Sequence, residues 1–152
     1  MRRLTKWVFR TLQNAKLDRN VTPVVERSAI SGGPKSAYRY AVMNHKRFEA
    51  GEAVIAQSPE YALEYAERII QGRFELGEEA ISQDPVRAMI YAKDTLNGRF
   101  ELGEPAIARS ARASLYYATD VLNGRFELGE PAIGRNSTIA LEYATKLKAL
   151  GI

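Results

Sequence analysis

Residues 96–107 read LNGRFELGEPAI, and residues 122–133 repeat the same letters. Two more divergent copies precede them at the same interval, IQGRFELGEEAI at 70–81 and NHKRFEAGEAVI at 44–55. Self-similarity at a fixed period of 26 residues is typical of proteins built from stacked, nearly identical units. The stretch therefore predicts an array of units.

Each copy of the motif is followed by a longer helical pattern. A Tyr-Ala pair recurs in it, at Tyr65-Ala66, Tyr91-Ala92, Tyr117-Ala118 and Tyr143-Ala144. A capping residue precedes each pattern, at Ser58, Asp84, Ser110 and Asn136. We predict one short helix of one or two turns and one long helix of about 12–14 residues per unit. A glycine after three long helices predicts a left-handed residue that ends them, at Gly72, Gly98 and Gly124.

Units this small cannot bury an apolar face alone, so neighbours must stack. The predicted fold class is all-α, an α-solenoid of about four to five 26-residue helix-turn-helix repeats with an N-terminal capping helix. Residues 1–46 are predicted to hold the basic capping helix and a degenerate first repeat, and residues 47–152 four tandem repeats, in one continuous domain. The handedness and curvature of the solenoid are left open.

The motif, carried best by Leu96 to Glu104, resembles short helical repeats found in proteins of bacteriophages and other large viruses. The resemblance covers about residues 47–145. It implies a helical array and a viral protein acting in a host cell. It brings no catalytic residues, and residues 1–46 depart from the motif.

Composition excludes several kinds of chemistry. The 152 residues contain no cysteine and one histidine, His45, which we interpret as a turn residue. Thiol nucleophiles, disulfides and His-rich metal sites are therefore excluded. No nucleophile–base pair or cofactor loop is visible, so we predict no enzyme activity, no cofactor and no metal. No stretch has the roughly 18 apolar residues of a membrane span, and we expect a cytoplasmic protein.

Two repeated sets of side chains carry alternative interpretations. The Arg-Phe-Glu-x-Gly-Glu motif could provide a ladder of anion or metal sites, but four equal copies favour structural Arg–Glu pairs that fix one repeat on the next. The repeated tyrosines could stack bases, but their place between small apolar residues favours the core.

Positions where the copies differ are better binding candidates. On what is predicted to be the outer face of the long helices, apolar and aromatic residues replace polar ones beside arginines. These residues predict a protein-binding patch, against the alternative of scattered surface apolar residues: Tyr61, Arg87, Ile90, Arg112, Tyr116 and Ile139.

Charge is distributed unevenly. Residues 1–46 hold ten Lys/Arg and two Asp/Glu, a net of +8, whereas residues 47–152 hold twelve and sixteen, a net of −4. The basic region predicts contact with nucleic acid or an acidic protein through Arg2, Arg3, Lys6 and Arg10. The alternative is that these residues form only a solvated face. The partner expected first is a host or viral protein, with nucleic acid as the alternative and self-association left open.

Overall fold

The computed structural model describes residues 22–152, and these form an all-α repeat array, as predicted. A helix pair, Thr22–Ser31 and Pro34–Asn44, comes first. Four units of 26 residues follow, beginning at Arg47, Arg73, Arg99 and Arg125 and called units 1 to 4. None of the helices in this part of the chain is long and apolar enough to cross a membrane.

Each unit contains a short helix and a long helix. In units 1 and 2 the short helices are Glu49–Ile55 and Glu75–Ser82. In unit 3 a 3₁₀ turn, Glu101–Gly103, precedes the short helix Glu104–Ile107. In unit 4 the turn Glu127–Gly129 precedes the short helix Glu130–Gly134. In units 1 to 3 the long helix begins as an α-helix and ends in a π-helical turn. The α-helical parts are Pro59–Tyr65, Pro85–Ile90 and Ala111–Tyr116, and the π-helical turns are Ala66–Ile70, Tyr91–Thr95 and Tyr117–Leu122. In unit 4 the long helix is the uninterrupted α-helix Ser137–Ala149.

The long helices begin where the capping residues predict. The side chains of Ser58, Asp84, Ser110 and Asn136 each accept a hydrogen bond from the backbone amide three residues later. These bonds satisfy one of the amides that a helix start leaves free. The same local signal therefore sets the start of the long helix in every unit.

The helix ends differ from the prediction by one residue. The left-handed residues are Gln71, Asn97 and Asn123, with φ near 50°, and not the glycines that follow them. Each glycine instead donates its amide to a carbonyl six residues earlier, as Gly98 does to Ala92 at 3.0 Å. This bond spans one residue more than the usual closing bond after a left-handed residue, in keeping with the π-helical last turn, and Asn tolerates the left-handed conformation well. His45 has φ 50° and is a turn residue, as predicted.

The core repeats with the sequence. In each unit a phenylalanine, an isoleucine and a tyrosine of the motif are buried, in unit 2 Phe74, Ile81 and Tyr91. The three phenylalanines Phe74, Phe100 and Phe126 occupy equivalent environments. Stacking of equal modules, the idea on which the predicted fold depends, is thereby confirmed.

Neighbouring units meet through an aromatic contact and a glycine contact. Each phenylalanine ring packs edge-on against the tyrosine of the preceding unit, Phe74 on Tyr65 and Phe126 on Tyr117. Beside it, Gly103 approaches Ala88 of the preceding unit so closely that an added Cβ would lie 2.8 Å from the alanine Cβ. The missing side chain allows the short helix of one unit to lie against the long helix of the last.

The first helix pair follows the same plan. The Tyr40 hydroxyl donates to Glu26 at 3.3 Å, as the tyrosines of the four units do to their glutamates, and its ring contacts Phe48 of unit 1 with 4.6 Å between centroids. The predicted N-terminal capping helix lies outside the described residues.

Candidate functional site

The arginine and second glutamate of the motif form one polar cluster in every unit. In unit 2, Arg73 donates to both carboxylate oxygens of Glu78, from Nε at 2.7 Å and from Nη2 at 3.0 Å. The Tyr91 hydroxyl donates to the same carboxylate at 3.0 Å and accepts the Phe74 amide at 2.9 Å. The other units repeat all four bonds, so both carboxylate oxygens and the tyrosine hydroxyl are hydrogen-bonded in every unit.

The electrostatics of the cluster favour a permanently paired carboxylate. Burial alone would raise the pKa of Glu52, but hydrogen bonds from Arg47 and Tyr65 together bring it below the ordinary 4.5. Burial, with the hydrogen bond to Glu52, raises the pKa of Tyr65 to about 12. The tyrosine therefore stays a neutral donor at neutral pH, and neither group is poised for proton transfer.

The structure shows the roles of the Arg–Glu pairs and of the repeated tyrosines. The pairs join residues of one unit, so the prediction that they fix one repeat on the next is wrong in that respect. Each pair joins the turn to the short helix, and the tyrosine hydroxyl joins the pair to the long helix of the same unit. The repeated tyrosines are buried, which confirms their prediction as core residues.

The predicted protein-binding patch is not one exposed apolar face. Ile139 is buried, so its prediction as a surface residue is wrong. Tyr61 packs against the Tyr38 ring with 5.5 Å between centroids, and Arg87 folds back onto the capping Asp84, Nη1 to Oδ2 2.7 Å. The long helix of unit 4 packs against its own short helix and against the long helix of unit 3, so its buried arc is wider than one helical face predicts.

The remaining three residues of that patch differ in exposure. Ile90 is partly buried against the core. The Lys146 ammonium lies over the partly buried Tyr116 ring, 5.3 Å from its centroid, and Arg112 is exposed. The four basic residues predicted to contact nucleic acid, Arg2, Arg3, Lys6 and Arg10, lie outside the described part of the chain.

The short helices instead carry a repeated exposed apolar position. Leu76, Leu102 and Leu128 occupy the same place in units 2, 3 and 4 and are 60%, 51% and 55% exposed. Neighbouring short helices contact one another, so these equivalent side chains form a row, which we call the leucine ridge. Isolated exposed leucines are common, but here they recur at one position on adjacent helices, a pattern that favours a binding surface.

Two further features border the ridge. One helical turn after the leucines, Pro105 and Pro131 are also exposed and widen the apolar surface in units 3 and 4. Directly before the ridge position, an exposed glutamate stands in every unit, and these four residues form what we call the carboxylate row: Glu49, Glu75, Glu101 and Glu127.

The exposure of these leucines has a signal in the sequence. In the short helix of unit 2, the residues Phe74, Gly77, Glu78 and Ile81 are buried and recur at spacings of three, one and three. A helical wheel built on that pattern places Leu76 on the opposite side. The leucines lie in the regular part of the motif, whereas the predicted patch consists of positions where the copies differ.

No protein-family model, curated protein or solved structure matches the chain. Among the residues that the structure describes, no three His, Cys, Asp or Glu side chains converge as a metal site would require.

Proposed function

We propose that this chain is a non-catalytic protein-binding repeat protein that docks a partner on the leucine ridge. The observation that carries the proposal is the exposure of Leu76, Leu102 and Leu128 at one repeated position on adjacent short helices. The fold gains little from these side chains, because half or more of each remains in water. A row of apolar side chains on rigid, regularly spaced helices is the kind of surface that solenoids use for binding.

The chemistry of the polar cluster supports a binding role over catalysis. Each Arg–Glu–Tyr cluster is internally satisfied and occurs four times, whereas an active site usually needs one distinct arrangement. The resemblance to viral repeats extends the proposal to a viral inhibitor or adaptor that acts on a host protein in the cytoplasm.

The test is affinity purification with three forms of the chain. L76S/L102S/L128S removes the ridge, and L141S serves as the matched control because Leu141 is 72% exposed at a site away from the ridge. A protein captured by the wild type and by L141S, and at least about tenfold less by the ridge variant, supports the proposal. Its binding is then measured with purified components. Equal capture by all three forms contradicts it.

A second proposal is nucleic-acid binding through the N-terminal region. It is favoured by the net charge of +8 in residues 1–46. It predicts an affinity for DNA or RNA that falls steeply with salt and is lost in R2A/R3A/K6A/R10A. An affinity unchanged in that variant would exclude it.

A further inference from the structure

We infer that the partner of the leucine ridge is a protein segment that combines apolar side chains with lysine or arginine. This inference rests on the proposed function, because it concerns the same surface, and it deepens that proposal by naming the chemistry of the partner. It is argued from the charges that border the ridge.

The charged side chains of the motif give each unit a net negative charge. The motif arginines are exposed, but each pairs with the second glutamate of the motif in its own unit, as Arg99 does with Glu104 at 2.6 and 3.1 Å. That pair is neutral as a whole. The exposed glutamate of the carboxylate row brings the three motif charges of each unit to a net of −1, although in unit 2 Glu75 Oε1 also lies 3.9 Å from Arg73 Nε.

The negative charges of the carboxylate row lie next to the ridge leucines. Glu75, Glu101 and Glu127 each directly precede a ridge leucine in the first turn of a short helix and are exposed. The carboxylate row therefore runs beside the leucine ridge with the same spacing. The body of the chain, residues 47–152, also carries a net charge of −4, which has the same sign as the row, whereas residues 1–46 carry +8.

An apolar ridge bordered by negative charge is complementary to a partner that is apolar and positively charged. An apolar segment flanked by cations would bury its apolar side chains against the leucines and hold its charges near the carboxylate row. An acidic segment of the same apolarity would meet a like charge in every unit. Negative charge beside the ridge thus selects among apolar partners.

The experiment uses the full chain and three synthetic amphipathic peptides as probes: Leu/Lys, Leu/Glu and Ser/Lys. Fluorescence anisotropy of labelled peptides should show binding of Leu/Lys alone, weakening as salt is raised. E75Q/E101Q/E127Q should weaken that binding about tenfold. The control E60Q/E67Q/D94N removes the same number of exposed charges from the long helices and should leave the affinity within about twofold.

The outcomes separate this inference from the proposed function. Leu/Glu binding equal to Leu/Lys binding, or an affinity unchanged in E75Q/E101Q/E127Q, overturns the basic partner. If L76S/L102S/L128S still abolishes capture of the cellular protein, the ridge remains a binding site with different charge selectivity. Loss of Leu/Lys binding in the Gln variant, with circular dichroism and melting temperature retained, supports the inference.

Discussion

The ring of Phe100 packs edge-on against the ring of Tyr91 in the preceding unit, with 5.2 Å between centroids and 70° between planes. The backbone amide of the same Phe100 donates to the Tyr117 hydroxyl of its own unit at 3.0 Å. Each phenylalanine thus links two successive tyrosines. Because the link recurs in every unit, we expect unfolding of one unit to weaken its neighbours.

The Phe100–Tyr91 contact predicts the cost of disturbing one junction. F100L removes the edge-on contact and leaves a poorly filled space between units 2 and 3, so the free energy of unfolding should fall by about 1–2 kcal/mol. Urea denaturation followed by circular dichroism measures the change. L102A, two residues away but exposed, should change stability by less than about 0.5 kcal/mol. Equal effects of the two substitutions would contradict the proposed junction.

Removal of the tyrosine hydroxyls should lower the free energy of unfolding by amounts that differ between units. Y91F deletes a group that accepts the Phe74 amide and donates to Glu78, and both partners stay buried, so the cost should be about 1–3 kcal/mol. Y143F should cost less, since the Glu130 side chain is 30% exposed, against 10% for Glu78, and water can replace the lost bond. The free energies of unfolding of both variants test this order, and a larger loss for Y143F would refute it.

Gly103 predicts a packing conflict between units. In G103A the new Cβ would lie 2.5 Å from the Phe100 ring and 2.8 Å from the Ala88 Cβ, so units 2 and 3 must separate, at a cost of about 1–3 kcal/mol. G134A is the matched control, because no atom lies within 4 Å of its Cβ and its backbone is helical. It should be neutral or stabilise the protein slightly. Comparison of the two melting temperatures decides the point.

The pKa of Glu130 predicts a pH dependence. The hydrogen bond from Arg125 holds this pKa below the ordinary 4.5 despite the opposing effect of burial. The ionised group therefore contributes stability that is present above the unfolded value and is lost as pH falls through the folded pKa. E130Q should lower the urea midpoint most at pH 6–7, and the difference from the wild type should shrink below about pH 4. A difference independent of pH would show that the ion pair has no such role.

How far the sequence could predict this structure depends on how local each signal is. The helix starts follow from capping residues such as Asp84, and the buried tyrosines follow from the periodicity around Tyr91. The exposure of the long helices could not be predicted in the same way. Ile139 is buried because the packing of a whole unit, and not one helical face, decides what it contacts.

The leucine ridge was not predicted, because the predicted patch rests on positions where the repeat copies differ, whereas Leu76, Leu102 and Leu128 lie in the regular motif. The helical wheel of the short helix places these leucines opposite its buried residues, and the close approach of Gly103 to Ala88 explains why the buried side faces the preceding unit.

The last prediction concerns unequal charges at the junctions between long helices. Lys93 of unit 2 pairs with Asp120 of unit 3, Nζ to Oδ2 2.8 Å. At the equivalent junction between units 1 and 2, Glu67 stands near Asp94, and its pKa is raised by burial and by the negative charges of Asp94 and Glu64. This junction carries repulsion where the next one carries an ion pair.

E67K should therefore recreate the Lys93–Asp120 pair with Asp94 as the acceptor. Because the site is exposed, the gain in the free energy of unfolding should be a few tenths to about 1 kcal/mol, and it should shrink in high salt. T145K places a lysine at the same position of unit 4, where the described chain has no following unit, and should be neutral. Urea denaturation of both variants at low and high salt is the measurement. An equal gain in E67K and T145K would mean that the added positive charge, and not the junction, changes stability.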